Sequence, residues 1–179
     1  DLLNQLVSYR KVIINSYTLL SGDEIAGRLS MPLLVSPKLD GEQWFLLFEK
    51  EWTLVTSTGR VISGDIEVLK DAAGLDQKII YGGELHLIGA ERKRIADLAA
   101  LIGQGAKADT SQMGFAIWDV VAGPEIAAVG TPYAQRYELI EKIKSTTNLF
   151  AIQTTATKSA NEVLDIYNQK VVKENLEGL

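Results

Sequence analysis

Lys38 is the residue of this sequence best suited to chemistry, and it stands in the segment Pro37-Lys38-Leu39-Asp40-Gly41. It follows the apolar run 33–35, where a lysine packs badly because its ammonium group must stay solvated or be paired. One interpretation is a surface turn, since proline and the Asp-Gly pair are common turn formers. The other is a nucleophilic lysine, whose pKa a neighbouring cation or metal lowers so that a neutral amine can attack. The segment alone favours the turn.

Two glutamates stand beside glycines in positions where a carboxylate could meet a ligand. Glu84 lies in the segment Tyr81-Gly82-Gly83-Glu84-Leu85, where the glycines either let the backbone approach a ligand or mark a strand bulge with an outward-facing glutamate. Glu177 lies in the closing segment Glu177-Gly178-Leu179, just after a helical pattern. A frayed terminus is the alternative interpretation for that segment.

A third segment, 115–121, has the aromatic and β-branched composition of a strand. Phe115 is expected in the core. Trp118 and Asp119 are neighbours and should point to opposite faces of the strand, so we expect one of them to border a cavity.

Composition narrows the chemistry that these residues can take part in. The 179 residues include no cysteine and one histidine, His86, which excludes disulfides and thiolate metal sites and argues against a histidine-rich zinc site or a Ser-His-Asp triad. The formal net charge of -5 is unlike the basic excess of most nucleic-acid binders, so such binding would need a local basic patch or basic modules outside this chain. No apolar run reaches the ~18 residues that cross a bilayer. We therefore expect a cytoplasmic protein without a membrane partner.

The elements that must position these residues mix helices and strands without regular alternation. Apolar periodicity and capping residues predict helices within 1–20, 25–29, 63–73, 91–102, 132–145 and 159–173. Strands are predicted at 33–35, 44–48, 52–56, 115–121, 149–154 and, interrupted by Gly82-Gly83, at 79–88. This order predicts an α+β fold with largely antiparallel sheets flanked by helices.

Taken together and in this order, the segments resemble the motifs of the covalent nucleotidyltransferase superfamily, which contains ATP-dependent DNA ligases, RNA ligases and mRNA capping enzymes. Lys38-Leu39-Asp40-Gly41 looks like the K-x-D-G motif of that family, and Gly83-Glu84-Leu85 is similar to its G-E-L motif. Residues 115–119 look like the F-x-x-F-D segment, and residues 167–179 are similar to the helix that leads into E-G-x-V. Residues 55–59 and residues 131–140, which include Arg136, fall where the family has a strand-and-turn motif and a following helix. The amino-acid sequences of the first and last of these segments are most similar to those of DNA ligase adenylation domains.

The resemblance implies a role for each motif residue. Lys38 would form a lysyl-AMP bond with ATP, and Asp40 would orient the Lys38 loop. Glu84 would bind the ribose, Trp118 would stack on the adenine, and Glu177 would help to bind Mg²⁺. AMP would then pass to the 5′-phosphate of a nick, where the 3′-hydroxyl displaces it.

The sequence departs from the family pattern at two positions that we still count as nucleotide-binding candidates. Gln43 stands where the family usually has an arginine, and it can donate hydrogen bonds but brings no charge. Arg60 lies two residues beyond Ser57-Thr58, where DNA ligases often have Ser-Arg, and it is a possible substitute. These departures bear on contacts with the nick phosphate more than on the lysyl-AMP step.

The resemblance also implies an ATP-grasp-like nucleotidyltransferase domain that occupies residues 1–179 and is truncated at the C-terminus, without the OB-type domain of the family. We therefore expect a monomer that does not complete ligation alone, with nicked DNA, or else RNA, as its partner. An RNA ligase, a capping-type enzyme and a non-catalytic nucleotide-binding domain stay open as alternatives. Gln43 slightly favours an RNA ligase.

Overall fold

The computed structural model describes residues 2–15, 18–89 and 95–179, which form two sheets surrounded by helices. The helices are α1 (Leu2–Asn15), α2 (Ile25–Arg28), α3 (Glu67–Asp71), α4 (Ile95–Gly103), α5 (Tyr133–Tyr137) and α6 (Ala160–Tyr167), which continues into a π-helical segment, Asn168–Lys173. The strands are β1 (Leu33–Val35), β2 (Glu42–Phe48), β3 (Trp52–Val55), β4 (Val61–Ile62), β5 (Ile80–Leu87), β6 (Met113–Gly123), β7 (Ile126–Ala127), β8 (Leu149–Ala151) and β9 (Thr155–Thr157). No described helix has the length and apolar character needed to cross a membrane.

The larger sheet has the strand order β4-β3-β2-β5-β6-β7, and all these neighbours are antiparallel. Strand β8 joins the same sheet by parallel pairing with β6. The smaller sheet pairs β1 with β9, again antiparallel. The α+β fold with largely antiparallel sheets is therefore confirmed.

The central strands of the larger sheet are buried on both faces. In β2, Trp44 and Leu46 enter the main core, whereas Phe45 enters a second cluster with Leu6 and Tyr9 of α1. Because successive strand residues point to opposite faces, a strand covered on both sides can be apolar at consecutive positions. This explains the unbroken buried run at the centre of β2.

A third cluster supports the chain just before Lys38. Val35 of β1 packs with Ile25 of α2 and Val163 of α6, and all three side chains are buried. The two-stranded sheet is thus packed against α2 and α6, and β1 delivers the chain to Lys38 from this base.

Two predicted helices are shorter in the structure. The helix predicted at 63–73 begins only at Glu67 and ends in a 3₁₀ turn, Ala72–Gly74. The helix predicted at 132–145 is α-helical only over α5. Beyond it, the amide of Ile140 donates to the carbonyl of Tyr137 at 2.9 Å, and the amide of Ile143 donates to the carbonyl of Ile140 at 3.0 Å. These three-residue steps are tighter than an α-helix, and they accompany the complete burial of Ile140 in the main core.

Strand β5 is continuous, so the predicted interruption at Gly82-Gly83 is wrong. The two glycines instead mark a register shift against β6. A Cβ on Gly83 would lie 2.5 Å from Cζ of Phe115 and 2.6 Å from the carbonyl oxygen of Ala116, so only glycine fits at this crossing. The helix predicted at 91–102 is described from Ile95 onwards, and residues 91–94 lie outside the described residues.

We expect Gly83→Ala to lower the free energy of unfolding by about 1–3 kcal/mol, because the added methyl group forces β5 and β6 apart. Urea denaturation followed by tryptophan fluorescence measures this change. Gly27→Ala is the matched control, since a Cβ there meets nothing within 4 Å. Equal stability of the two variants would contradict the close approach of β5 and β6.

Candidate functional site

A cavity of about 440 Å³ lies where the Lys38 loop, β5, β6 and α5 converge. Its wall includes Lys38, Glu84 and Trp118, which the sequence singled out in three separate segments. Cavities of this size hold small organic ligands, with a mostly apolar lining and a few polar groups that set orientation. The fold therefore brings an amine, a carboxylate and an aromatic ring to one ligand-sized space.

The Lys38 loop is joined to the last described residues. The amide of Lys38 donates to the carbonyl of Gly178 at 2.8 Å, in an isolated antiparallel bridge. Nζ of Lys38 forms an ion pair with the carboxylate of Glu177. Half of the Lys38 side chain is exposed, so this pair contributes little to stability, but it places a carboxylate directly beside the amine.

Gly41 lets the Lys38 loop lie against β5. A Cβ at this position would be 2.4 Å from the carbonyl oxygen of Leu85 and 2.9 Å from Cγ of Glu84. Any other residue would push the loop away from Glu84. The glycine of the Lys38-Leu39-Asp40-Gly41 segment is thus required by a close approach of two backbones, and not only by a turn.

Glu84 lies in β5 and carries a perturbed carboxyl group. Burial raises the pKa of Glu84 to about 7. The ammonium of Lys38 opposes this rise, whereas three neighbouring carboxylates add to it, those of Glu177, Asp40 and Glu42. Glu84 is therefore held at the border between its protonated and charged forms near neutral pH.

Gln43 faces Glu84 directly across the β2–β5 pairing. Its Nε2 is buried and has no hydrogen-bond partner among the described residues. An unsatisfied buried donor costs about 1–3 kcal/mol, so an acceptor brought by a ligand would be favoured there. Gln43 itself is not in the cavity wall but lies beside a residue that is.

Trp118 and Asp119 both border the cavity, so the expectation that only one of them does is wrong. Strand β6 pairs Ile117 with Gly83 and Asp119 with Gly82, which leaves Trp118 as an extra residue without a partner on β5. Such a β-bulge breaks the alternation of side chains along a strand. Two consecutive side chains can therefore line one side.

The carboxylate of Asp119 is buried and fully engaged. It accepts from Nε and Nη2 of Arg136 at 2.7 and 2.9 Å, from Oη of Tyr9 at 2.8 Å, and from the amide of Val120 at 2.8 Å. Arg136 also donates to the carbonyl oxygens of Ala128 and Thr131. The pair fixes α5 and the preceding loop against β6.

Two tyrosines that sequence reasoning missed support this part of the site, Tyr133 within the cavity wall and Tyr9 behind it. Tyr133 lines the cavity, and its hydroxyl donates to the carbonyl of Trp118 at 3.0 Å. Tyr9 packs its ring against Trp118 with centroids 6.0 Å apart. The sequence contained a signal for Tyr133, because it directly follows the proline at the start of α5. No sequence pattern in α1 distinguishes Tyr9 from an ordinary core residue.

Arg60 is not brought to the cavity. Its guanidinium forms an ion pair with Glu42 and lies 5.0 Å from the ring of Trp44. Glu42 and Trp44 alternate with Gln43 along β2, so they belong to the opposite face of that strand. Asp40 lies in the loop between Lys38 and β2, close enough for its charge to act on Glu84.

Comparison with known proteins identifies which solved structures share the fold of this chain. No protein-family model and no curated protein matches the chain. Among solved structures, it is similar to a Lig E DNA ligase studied for DNA binding with a minimal scaffold (19% identity, TM-score 0.55, covering 81% of this chain and 52% of that one). It is also similar to the Chlorella virus DNA ligase-adenylate (16%, 0.58, 90% and 55%) and to mycobacterial DNA ligase D complexed with ATP and MES (17%, 0.50, 81% and 46%). The chain has the fold of a DNA ligase nucleotidyltransferase domain.

The chain spans about half the length of the solved ligases that it matches. The cavity wall contains residues from all four of the segments that resemble the K-x-D-G, G-E-L, F-x-x-F-D and E-G-x-V motifs, and Glu177 of the last segment is ion-paired with Lys38. The segments that resemble the motifs therefore lie around one cavity of this fold.

Replacement of Arg136 by methionine should lower the free energy of unfolding of this ligase-type fold by about 3 kcal/mol, because Asp119 stays buried with its charge unpaired. Urea denaturation tests this value. Arg28→Met is the matched control, since Arg28 forms an exposed ion pair with Glu24 at 3.0 Å. Its replacement should lower the free energy of unfolding by less than about 1 kcal/mol. Similar losses in both variants would mean that the Asp119–Arg136 pair does not hold α5 in place.

The raised pKa of Glu84 predicts a pH dependence of stability. The folded chain holds the Glu84 proton more tightly than the unfolded chain, so the stabilisation is complete below the unfolded pKa near 4.5 and is lost as pH rises through about 7. Glu84→Gln should lack this component, which is roughly 3 kcal/mol. Denaturation of both proteins across this range in metal-free buffer measures it, and parallel profiles would refute the shift.

Proposed function

We propose that this chain is the nucleotidyltransferase domain of an ATP-dependent polynucleotide ligase, and that Nζ of Lys38 accepts AMP from ATP. One observation carries the proposal. A lysine, a carboxylate and an indole from distant segments of a ligase-type fold share a single ligand-sized cavity. The structure of mycobacterial DNA ligase D complexed with ATP, which has the same fold, supports ATP as the nucleotide.

The cavity wall supplies complementary groups for each part of a nucleotide. The indole of Trp118 offers an aromatic face for the base. The carboxyl of Glu84 is an acceptor for ribose hydroxyls, and the unpartnered Nε2 of Gln43 behind it is a donor. The phosphates would then extend towards Lys38 and Glu177 at the junction of the loop with the last residues.

The transfer itself is an in-line displacement at the α-phosphorus. The Lys38 ammonium must first lose a proton, and the carboxylate of Glu177 beside it is the group placed to receive that proton. Nζ then forms a bond to phosphorus while the bond from phosphorus to the bridging oxygen breaks, and pyrophosphate leaves with the electron pair. The nitrogen of the new P–N bond gives up its second proton to pyrophosphate or solvent. Holding the amine and the phosphate in this geometry supplies much of the rate enhancement in such reactions.

The proposal includes Mg²⁺ bound with the nucleotide. Among the described residues no group of three or more histidine, aspartate or glutamate side chains could hold a metal ion alone. Mg²⁺ does not require such a cage, since it is commonly held by one or two carboxylates together with substrate phosphates. Glu177 provides a carboxylate of this kind, and the metal would neutralise phosphate charge during transfer.

A nicked DNA is the proposed acceptor of AMP, and nicked RNA is the alternative. Because the net charge is -5, binding of nucleic acid would need a local basic patch, or parts of a ligase outside the half of the solved ligases that this sequence matches. Comparison of nicked DNA with nicked RNA separates the two acceptors, and GTP in place of ATP tests a capping-type activity.

Intact-mass spectrometry after incubation with ATP and Mg²⁺ tests the first step. We expect the wild-type chain to gain one adenylyl group and Lys38→Ala to gain none, because the nucleophile is gone. Lys70→Ala is the matched control, since Lys70 is an exposed lysine paired with Asp65 at 3.0 Å, and it should label like the wild type. Labelling of Lys38→Ala would refute the proposal.

A non-catalytic nucleotide-binding domain is the second candidate. It is favoured by the ion pair that engages Lys38 and by the position of Arg60, which leave few cations at the cavity to hold a triphosphate. A binding domain would retain ATP reversibly and form no adduct. If a version extended past Leu179 also fails to label, this second candidate replaces the first.

A further inference from the structure

Helix α1 lies upstream of Lys38 in the sequence, yet its Tyr9 contacts two residues of the cavity wall, Trp118 and Asp119. Tyr9 is 3% exposed and packs edge-on against Phe45, with ring centroids 5.7 Å apart. It lies over Gly82 of β5, where a Cβ would come within 3.3 Å of its hydroxyl oxygen. The glycine therefore leaves room for the tyrosine ring to lie close to the sheet.

From this position Tyr9 contacts both residues of the β6 bulge. Its hydroxyl donates to Oδ2 of Asp119 at 2.8 Å, and its ring lies 6.0 Å from the indole of Trp118 with the two planes inclined by 32°. Burial, followed by the nearby Asp119 charge, raises the pKa of the Tyr9 phenol. The phenol therefore stays protonated, and the donor to Asp119 is permanent.

Trp118 needs such a support because it has no pairing partner on β5. Its backbone is held from one direction by Tyr133, whose hydroxyl donates to the Trp118 carbonyl. Its indole packs against the cluster that Tyr9 belongs to and also borders the cavity. Without the Tyr9 ring, the indole would lose the aromatic neighbour that restricts its rotation on this side.

We propose that Tyr9 is a positioning residue, whose ring braces the Trp118 indole so that the surface for the nucleotide base exists before the nucleotide binds. Helix α1 is then part of the nucleotide site and not only a cover for the sheet. The inference rests on the proposed function for the identity of the ligand, but the bracing itself can be observed without any ligand.

The ligand-free test uses 5-fluorotryptophan and ¹⁹F NMR. The chain has three tryptophans, and the Trp118 resonance is identified by its loss in Trp118→Phe. In Tyr9→Leu we expect the Trp118 resonance to shift and broaden while those of Trp44 and Trp52 keep their positions, whereas Tyr9→Phe, which keeps the ring, should resemble the wild type. An unchanged Trp118 resonance in Tyr9→Leu, or equal changes in Tyr9→Phe and Tyr9→Leu, would overturn the proposal.

The functional test compares ATP with inorganic tripolyphosphate, which has no base to stack. Tyr9→Leu should weaken ATP binding roughly fivefold to tenfold, as expected for loss of an ordered aromatic contact, and leave tripolyphosphate binding unchanged. In a Trp118→Ala background the same substitution should have no further effect on ATP. An equal loss for both ligands, or an undiminished effect without Trp118, would show a general structural role.

Leu6→Ala is the matched control within α1, because it loosens the same apolar cluster and keeps the pair of Tyr9 and Trp118. It should lower thermal stability without changing the ratio of ATP to tripolyphosphate affinity.

The two tests separate the bracing from the proposed function. If the wild-type chain binds no ATP but the Trp118 resonance still shifts and broadens in Tyr9→Leu, the proposed function fails and the bracing stands. If the wild type binds and labels but the resonance does not respond, the function stands and the bracing fails.

Discussion

The buried carboxylate of Asp119 is the constraint around which the cavity is organised. Removing a carboxylate from water costs several kcal/mol unless its oxygens receive well-placed donors. Here the donors come from three parts of the chain: Tyr9 of α1, Arg136 of α5 and the strand's own amide at Val120. Because none of them can move without leaving charge unpaired, α1 and α5 are both tied to β6.

The same constraint explains why the cavity wall has a fixed shape. Asp119 follows directly on the bulged residue Trp118, so anchoring the carboxylate also limits how the indole can turn. On the opposite side, Gly41 and Gly83 permit close approaches of the Lys38 loop to β5 and of β5 to β6. Small residues thus set the distances between the elements, and one buried charge sets their orientation.

Much of the architecture could be predicted from the sequence because it depends on local patterns. Alternating and continuous apolar runs located the central strands, and the segment around Lys38 located the loop at the cavity. The failures arose where tertiary contacts override the local pattern. The bulge at Trp118 is invisible to an alternation rule, and the 132–145 pattern continues through turns that tighten as Ile140 is buried. The direction taken by Arg60 depends on Glu42 and Trp44, which lie on β2, distant in sequence.

The bridge between Lys38 and Gly178 joins positions about 140 residues apart. A contact of that separation encloses nearly the whole described chain, and closing so long a loop carries an entropic cost that only a largely folded molecule can offset. We therefore expect the amine and its neighbouring carboxylate to meet late in folding, after the sheet and its helices have assembled. A partly folded chain, whether newly made or damaged, would contain Lys38 but not the carboxylate of Glu177 beside its amine.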